Sequence, residues 1–338
     1  MDLNILWFLL LGVLLAGYAI LDGFDLGVGV IHPFIRGDTN RRIAINSIGP
    51  LWDGNEVWLV TFGGALFAAF PRAYAAILSS FYLPVMLLLA ALVGRAVSIE
   101  FRSKVKRPGW RLYWDYSFAL SSATVAFVGG VGLGNVLRGF PLGPDGVYAG
   151  TVLDLLHPYP LLVGLLTVAG AALHGTIFLY LKTEGGLQRA VHRWIWVAFG
   201  IFAALYVAVS LYTLLAVPHA TRNFQHLPIG WVVVGLNVLA VANIPRAVYL
   251  GMPRYAFISS CATIAALTFL VGMAIFPDLA PSSLDPGYSL DIYSAASSQG
   301  TLLTMAIIAA IGMPFVLTYT AVIYWVFRGK TQLDHSSY

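Results

Sequence analysis

Long apolar stretches separated by short polar loops are the feature that most constrains the fold of this chain. Nine of them approach or exceed the 20 or so residues that a helix needs to cross a bilayer; they lie at residues 4–35, 48–70, 74–97, 114–137, 159–181, 194–217, 229–250, 254–276 and 302–327. A β-barrel is excluded, because residues 83–93 lack the alternation of apolar and polar side chains that barrel strands need. The sequence therefore predicts an all-α polytopic membrane protein with nine transmembrane helices.

The charged residues support this class and predict an orientation. They make up only 10% of the 338 residues, against about 25% in soluble proteins. The net charge of +4 does not indicate nucleic-acid binding, because the basic residues lie in short loops rather than in one patch. Sixteen of the 19 lysines and arginines lie in the odd-numbered loops and the C-terminal tail. Because such residues stay on the cytoplasmic side, the N-terminus is predicted outside and the C-terminus inside.

The span count suggests how the helices are grouped. We expect one integral-membrane domain over residues 1–338, with a first four-helix bundle at 1–137 and a second at 159–276. The ninth helix, at 302–327, is then peripheral to both bundles.

Four carboxylates lie inside the first two apolar stretches. Asp22 and Asp25 are three residues apart, as are Asp53 and Glu56, so each pair falls on one face of a helix, where it can share a proton. An ionisable residue at this depth costs about 2.5 to 3.5 kcal/mol to insert and commonly marks an ion or proton route. The predicted orientation places all four toward the cytoplasm.

Two further charged residues are predicted at the same depth. Arg95 ends the third stretch and Asp115 opens the fourth, so both are candidate charge partners of the four acids. The alternative is helix capping, since anions stabilise the first turn of a helix. That alternative applies to Asp53, Glu56 and Asp115; it is weaker for Asp22 and Asp25, which lie near a helix end that disfavours anions.

Glycines and potential ligands complete the inventory. Two glycine pairs have the four-residue spacing typical of close helix packing in lipid; they are Gly23 with Gly27 and Gly130 with Gly134. The single cysteine, Cys261, excludes a cysteine-rich metal site. A bis-histidine heme needs two histidines at depth, and only His174 lies clearly inside a stretch. No metal or heme ligand set is therefore predicted on this chain.

Two motifs resemble those of a known family. The sequence GYAILDGFDLGVG at residues 17–29 and NSIGPLWDGNEVWLV at residues 46–60 resemble the first and second motifs of subunit II of cytochrome bd-type quinol oxidases. Further similarity follows in GGALFAAFPRAYA from Gly63, EFRSK from Glu100 and the serine-rich runs near residues 281 and 296, so it covers nearly the whole chain.

The resemblance implies a role within a complex. It implies two four-helix bundles and a peripheral helix, paired with a larger subunit I in the prokaryotic cytoplasmic membrane. That partner would carry hemes b and d, oxidise quinol near the outer side and reduce oxygen to water, so that proton-motive force arises without a pump. This chain would support the partner and help form the cytoplasmic proton path, with Asp53 on that path and Asp22 and Asp25 as the acids of the first motif. Glu56 stands at a position where the family pattern accepts an acid or an amide. The resemblance also implies small accessory membrane subunits, membrane lipid and a bound quinone. No residues of this sequence are assigned to them.

Two other functions are compatible with membrane acids. A proton-coupled secondary transporter predicts broken helices facing each other in two repeats, and the gathering of the acids in the first half of the chain counts against it. A purely structural scaffold predicts that the acids only cap helices, so that their replacement changes assembly but not turnover.

Overall fold

The fold is a bundle of long helices. A computed structural model describes residues 2–333, apart from the side chains of residues 218, 219 and 226. In chain order the helices are α1 (Leu3–Ile31), α2 (Asp38–Ile48), α3 (Trp52–Ala69), α4 (Pro71–Ser80), α5 (Tyr82–Phe101), α6 (Pro108–Arg138), α7 (Pro158–Lys182), α8 (Gly185–Ala216), α9 (Pro218–His226), α10 (Ile229–Tyr249), α11 (Pro253–Ile275) and α12 (Gln299–Val326). Three short 3₁₀ helices and a two-stranded antiparallel sheet, β1 (Asp278–Ala280) with β2 (Leu290–Asp291), lie between them.

Eight helices of the described chain are long and apolar enough to cross a membrane, which establishes a multi-pass membrane protein; they are α1, α5, α6, α7, α8, α10, α11 and α12. The predicted second stretch, 48–70, corresponds to α3, which is 18 residues long and has Asp53 in its first turn. This polar start lowers the mean hydropathy of α3, so α3 is not among the eight, and the count of nine spans stays a prediction.

Prolines account for two of the differences between the predicted and observed helix bounds. The predicted third stretch, 74–97, is divided between α4 and α5 at Phe81. Pro84 has no N–H to donate to the Ser80 carbonyl, so one continuous helix would lose a backbone hydrogen bond at that point. Pro108 occupies the first turn of α6, where the fixed proline φ favours helix initiation. As a result α6 starts well before the predicted residue 114.

Helix α1 lies at the centre of the bundle and packs against α3, α6, α7, α11 and α12. Its contact with α7 is made backbone to backbone: a Cβ at Gly27 would overlap the Ala171 carbonyl oxygen, and one at Gly175 would overlap the Gly27 carbonyl carbon. Small residues at a membrane helix crossing permit this approach. The packing brings the acid-bearing end of α1 into the middle of the protein.

The other predicted packing glycines differ from one another. A Cβ at Gly130 would overlap the Thr167 hydroxyl, and one at Gly134 would lie 2.6 Å from Pro160 Cα, both on α7. The structure differs from the prediction at Gly23, where a Cβ would be 3.8 Å from its nearest neighbour, an ordinary contact. The spacing of four residues brings only one member of the α1 pair to the crossing point.

The loop between α6 and α7, residues 139–157, and the segment between α11 and α12, residues 276–298, meet at the end of the bundle opposite the acids. The Phe140 backbone pairs with the chain around Ser282, and Arg72 donates to the Ser294 carbonyl at 2.9 Å. Within the first loop, the N–H and hydroxyl of Thr151 donate to the Asp154 carboxylate, which holds the pKa of that carboxyl below its usual value. Both loops are therefore ordered by their own polar contacts.

Candidate functional site

A buried ion-pair network lies between α1, α3, α5 and α12. We call it the Arg95 cluster; its members are Asp22, Asp25, Asn55, Glu56, Arg95 and Tyr324. Arg95 donates to Asp22 at 2.5 Å and to Glu56 at 2.8 Å. The side chains of Arg95 and Asp22 are both 0% exposed, whereas that of Glu56 is 21% exposed. The network thus connects the protein surface with a fully enclosed carboxylate.

The local sequence explains why these groups converge. Asp22 and Asp25 occupy one face of α1, three residues apart, in its C-terminal half. The first turns of α3 present Asn55 and Glu56 to that face, and Arg95 reaches it from α5. An arginine suits this place, because its planar guanidinium can bind two carboxylates at once.

Asn55 links Asp25 to Tyr324. Its Nδ2 donates to Asp25 Oδ2 at 2.7 Å and to the Leu21 carbonyl at 3.2 Å. Its Oδ1 accepts from the Tyr324 hydroxyl at 2.9 Å. Sequence reasoning missed both Asn55 and Tyr324, although Asn55 lies inside the second motif; an amide beside two acids was the available signal.

Several polar atoms of the cluster remain without a protein partner. Asp22 Oδ2, Asp25 Oδ1 and Arg95 Nε are buried and form no hydrogen bond with the residues that the structure describes. Buried polar groups in proteins are nearly always paired, commonly with ordered water. The cluster therefore has unused hydrogen-bonding capacity at its centre.

Asp53 is separate from the network. It is exposed, in the first turn of α3, while Glu56 one turn further on faces Arg95. The predicted Asp53–Glu56 pair is therefore divided, because Glu56 turns toward the guanidinium and Asp53 toward the surface. The alternative of capping is not supported by a side-chain hydrogen bond at the N-terminus of α3.

A second ionic network, the Asp115 cluster, lies nearer the C-terminal ends of α1 and α5 and the N-terminal end of α6. Its members are His32, Asp38, Arg41, Arg102, Arg111 and Asp115. The Asp115 carboxylate accepts from Arg102 at 2.5 Å and from Arg41 at 2.9 Å, and its Oδ1 is 2.6 Å from His32 Nε2. The side chain of Asp115 is 2% exposed.

The structure places Arg95 and Asp115 in different networks, whereas the sequence predicted both as charge partners of the four acids at one depth: Arg95 pairs with Asp22 and Glu56, and Asp115 pairs with none of the four. Arg102, the C-cap residue of α5, follows Arg95 by seven residues, which is two turns or about 10 Å along the helix axis. Asp115 pairs with Arg102 and with Arg41, a residue that the sequence pattern assigned only to topology. Capping is also excluded for Asp115, because α6 begins at Pro108 and Asp115 lies beyond its first turn.

Comparison with known proteins identifies the family. The sequence model described as cytochrome bd terminal oxidase subunit II matches residues 3–327. The chain belongs to this family. It is 37% identical to cytochrome bd-I ubiquinol oxidase subunit 2 of Escherichia coli strain K12, over 97% of this chain and 95% of the relative. It is 36% identical to cytochrome bd ubiquinol oxidase subunit 2 of Bacillus subtilis strain 168, over 97% of each chain.

A solved structure supports the fold. A chain of the bd oxidase from Geobacillus thermodenitrificans superposes with a TM-score of 0.81 at 17% identity, over 97% of this chain and 99% of that one. As a cytochrome bd oxidase subunit II, this protein is a subunit of a bd-type quinol oxidase, an oxidoreductase complex of respiratory electron transport. Membership implies a partner, subunit 1.

Complexes of the cytochrome bd family carry hemes, but the buried histidines of this chain do not fit axial ligation. His174 Nδ1 lies 2.7 Å from the Ser260 hydroxyl, and its Nε2 lies 3.0 Å from the Ile20 carbonyl. His32, which the sequence did not place at depth, is 0% exposed and bonded to Asp115. Within residues 2–333 no group of three or more His, Cys, Asp or Glu side chains is arranged to hold a metal ion.

Proposed function

We propose that this chain forms part of the route by which protons reach the oxygen-reducing site of the complex from the cytoplasm, and that it supports the heme-bearing subunit. The observation that carries this proposal is the Arg95 cluster, in which the Arg95 guanidinium pairs with Asp22 and Glu56. A third carboxyl group, that of Asp25, lies three residues from Asp22 on α1 and accepts from Asn55. If all three were ionised, the cluster would have a net negative charge, which a buried site strongly disfavours. The cluster is therefore suited to hold a proton and to pass it on.

The arrangement of the acids gives the route a direction. Asp53 lies at the exposed mouth, Glu56 follows one turn further along α3, and Asp22 and Asp25 lie behind Arg95. The polar atoms at the centre that lack protein partners are suited to hydrogen-bond internal water, which would relay protons between the carboxyl groups. Arg95 orients Asp22 and Glu56 and offsets their charge.

The membrane arrangement that goes with this route has the N-terminus outside and the C-terminus in the cytoplasm of a prokaryotic cell, as the positions of the basic residues indicate. We take α3 as the ninth span and group the helices as two four-helix bundles, at residues 1–137 and 159–276, with α12 at the periphery. The thin packing of α12, in which Leu302 is the buried residue, supports its peripheral position.

The remaining chemistry belongs to the complex. We expect hemes b and d to be ligated by subunit 1, where they supply the redox chemistry that reduces oxygen with electrons from quinol. Proton uptake from the cytoplasm and proton release outside then separate charge without a pump. Accessory subunits, lipid and a quinone bound to this chain stay expectations from the family resemblance.

Replacing Glu56 by glutamine tests the proposed route in the assembled oxidase. We expect quinol-driven oxygen consumption to fall by about a hundredfold, the lower end of the range for a positioned proton-transfer group, because a glutamine keeps the bulk of the side chain but carries no acidic proton. Asp53→Asn is expected to have a smaller effect in the same direction, since solvent can replace an exposed acid. Membrane voltage should fall in parallel with oxygen consumption.

The matched control is Glu184→Gln, which changes an exposed glutamate at the start of α8 and should leave turnover unchanged. Heme content and the amount of subunit 1 must equal those of the unmodified complex. If Glu56→Gln and Asp25→Asn complexes with full heme content both respire and generate voltage normally, the scaffold alternative is favoured and the proposed route is wrong.

A further inference from the structure

The inner end of α12 makes a contact that its peripheral position does not require. Tyr324, in the last turn of α12, donates its hydroxyl to Asn55 Oδ1 at 2.9 Å and is half-buried against α1 and α3. Most other side chains of the helix between residues 303 and 326 are exposed or only partly buried. The residue that reaches the Arg95 cluster is thus a tyrosine from the far end of the chain.

This hydrogen bond completes the pairing of the Asn55 amide. A side-chain amide offers one oxygen acceptor and two N–H donors. In Asn55 the oxygen accepts from Tyr324, and the two N–H groups donate to Asp25 and to the Leu21 carbonyl. Because the phenol occupies the oxygen, the nitrogen is directed to the Asp25 carboxyl; without the phenol the amide would lose that constraint and be free to rotate.

A pair of lysines fastens this end of α12 to α7. Lys182, the last residue of α7, is 7% exposed, and its ammonium donates to the Phe327 carbonyl and, at 2.8 Å, to the Gly329 carbonyl. Lys330 donates in return to the carbonyls of Leu181 at 2.9 Å and Thr183 at 3.0 Å. Lys330 thus binds carbonyls at the C-terminal end of α7, and Lys182 binds carbonyls at and just beyond the C-terminal end of α12. The helix dipole favours a cation at both places.

A backbone hydrogen bond also joins the segment after α12 to α7, whereas the middle of α12 contributes little to the position of Tyr324. Thr331 N donates to the Lys182 carbonyl at 2.8 Å. Pro314 lies inside α12 and lacks the N–H that would continue the helix hydrogen bonding at its place. The outer end is held by Trp7, whose indole donates to the Leu302 carbonyl at 3.0 Å. The position of Tyr324 therefore depends on contacts at the inner end.

We propose that Tyr324 is a positioning residue for Asp25: its hydroxyl fixes the Asn55 amide against the Asp25 carboxyl, and the interlocked lysines Lys182 and Lys330 hold it there. The contact itself is independent of the route of protons; its effect on turnover rests on the proposed function, in which Asp25 lies on the proton path. Tyr324 binds neither quinol nor oxygen in this role.

Tyr324→Phe in the complete oxidase is the test, read out by infrared spectroscopy and by turnover. The Asp25 carboxyl band is identified as the one that Asp25→Asn removes. We expect Tyr324→Phe to shift this band and to slow oxygen consumption by about two- to tenfold, the rate equivalent of one net hydrogen bond. Tyr319→Phe is the matched control, since Tyr319 lies on the same helix and is 63% exposed; it should change neither readout.

The lysines are tested through Lys330→Met, because Lys330 is exposed and its replacement spares the buried packing. Lys330→Met should shift the same band, and Lys330→Arg should restore it. Adding Lys330→Met to Tyr324→Phe should have no further effect on turnover, because both changes act through one contact. Additive effects of the two changes would overturn the role of the lysines.

The outcomes separate this inference from the proposed function. If Tyr324→Phe leaves the Asp25 band and the turnover unchanged while Asp25→Asn slows turnover, Tyr324 does not position Asp25, and the proton route stands. If Asp25→Asn with full heme content respires normally, the route is wrong, and the band shift in Tyr324→Phe still decides whether the positioning contact exists.

Discussion

Replacing Arg95 by methionine is expected to destabilise the protein by about 3 to 5 kcal/mol, the range measured when one partner of a buried ion pair is removed. Arg95 is the shared partner of Asp22 and Glu56, and both it and Asp22 are fully enclosed. Methionine fills part of the space but leaves two carboxylates facing each other. We expect little assembled complex in membranes. The complex that can be purified should lose its monodisperse peak in size-exclusion chromatography at a much lower temperature than the unmodified complex.

A second substitution distinguishes lost charge pairing from lost packing. Adding Asp22→Asn to Arg95→Met removes a buried charge along with its partner, so part of the stability should return, which is the non-additivity expected of residues in contact. Arg254→Met is the control, because Arg254 is exposed at the start of α11. Equal yields and melting temperatures for Arg95→Met and Arg254→Met would show that the pair does not stabilise the fold.

Replacing Asp115 by leucine is expected to have an effect of similar size, about 3 to 5 kcal/mol. Asp115 accepts from Arg41 and Arg102 and lies against His32. Without it, the nearly enclosed Arg102 keeps only its 2.9 Å pair with Asp38, which is 43% exposed. The inner ends of α1, α5 and α6 should then separate, and the yield of the complex and its thermal stability should fall together.

The size of the Asp115 effect should depend on the acceptor atoms that remain. Asp115→Asn keeps one oxygen acceptor and should fall between Asp115→Leu and the unmodified chain. Asp145→Leu, in the exposed loop between α6 and α7, should be close to neutral. If the Asp115→Leu complex is as stable as the Asp145→Leu complex, the Asp115 cluster does not stabilise the fold.

Much of the fold could be predicted from the sequence, because membrane-spanning helices are recognisable as continuous apolar stretches. The prediction was less reliable where prolines and polar first turns set the helix limits, as at Pro84, Pro108 and α3. Within the site, Asp22, Asp25, Glu56 and Arg95 do converge, since a three-residue spacing on one helix and the up-and-down order of the helices restrict where they can lie.

The rest of the site depends on tertiary placement that a residue pattern does not contain. Tyr324 and Asn55 are 269 positions apart in the chain. Tyr324 lies on α12, which is apolar nearly all round, so its sequence does not indicate which of its faces packs against the rest of the protein. The side chains of Arg41, on α2, and Arg102, at the C-terminal end of α5, reach Asp115 on α6, a contact between separate helices. Asp53 shares the first turns of α3 with Glu56 but turns to the surface, a difference of rotation that spacing alone does not resolve.

The central claim, that protons for oxygen reduction pass through the Arg95 cluster, is tested most directly by proton uptake in an Asp25→Asn complex. The complex is reconstituted in vesicles with a pH-sensitive dye on the side of the basic loops, and uptake is followed during a single turnover with oxygen. With heme content equal to that of the unmodified complex, we predict uptake slowed by about a hundredfold, with voltage generation slowed equally. Uptake at the unmodified rate would contradict the account.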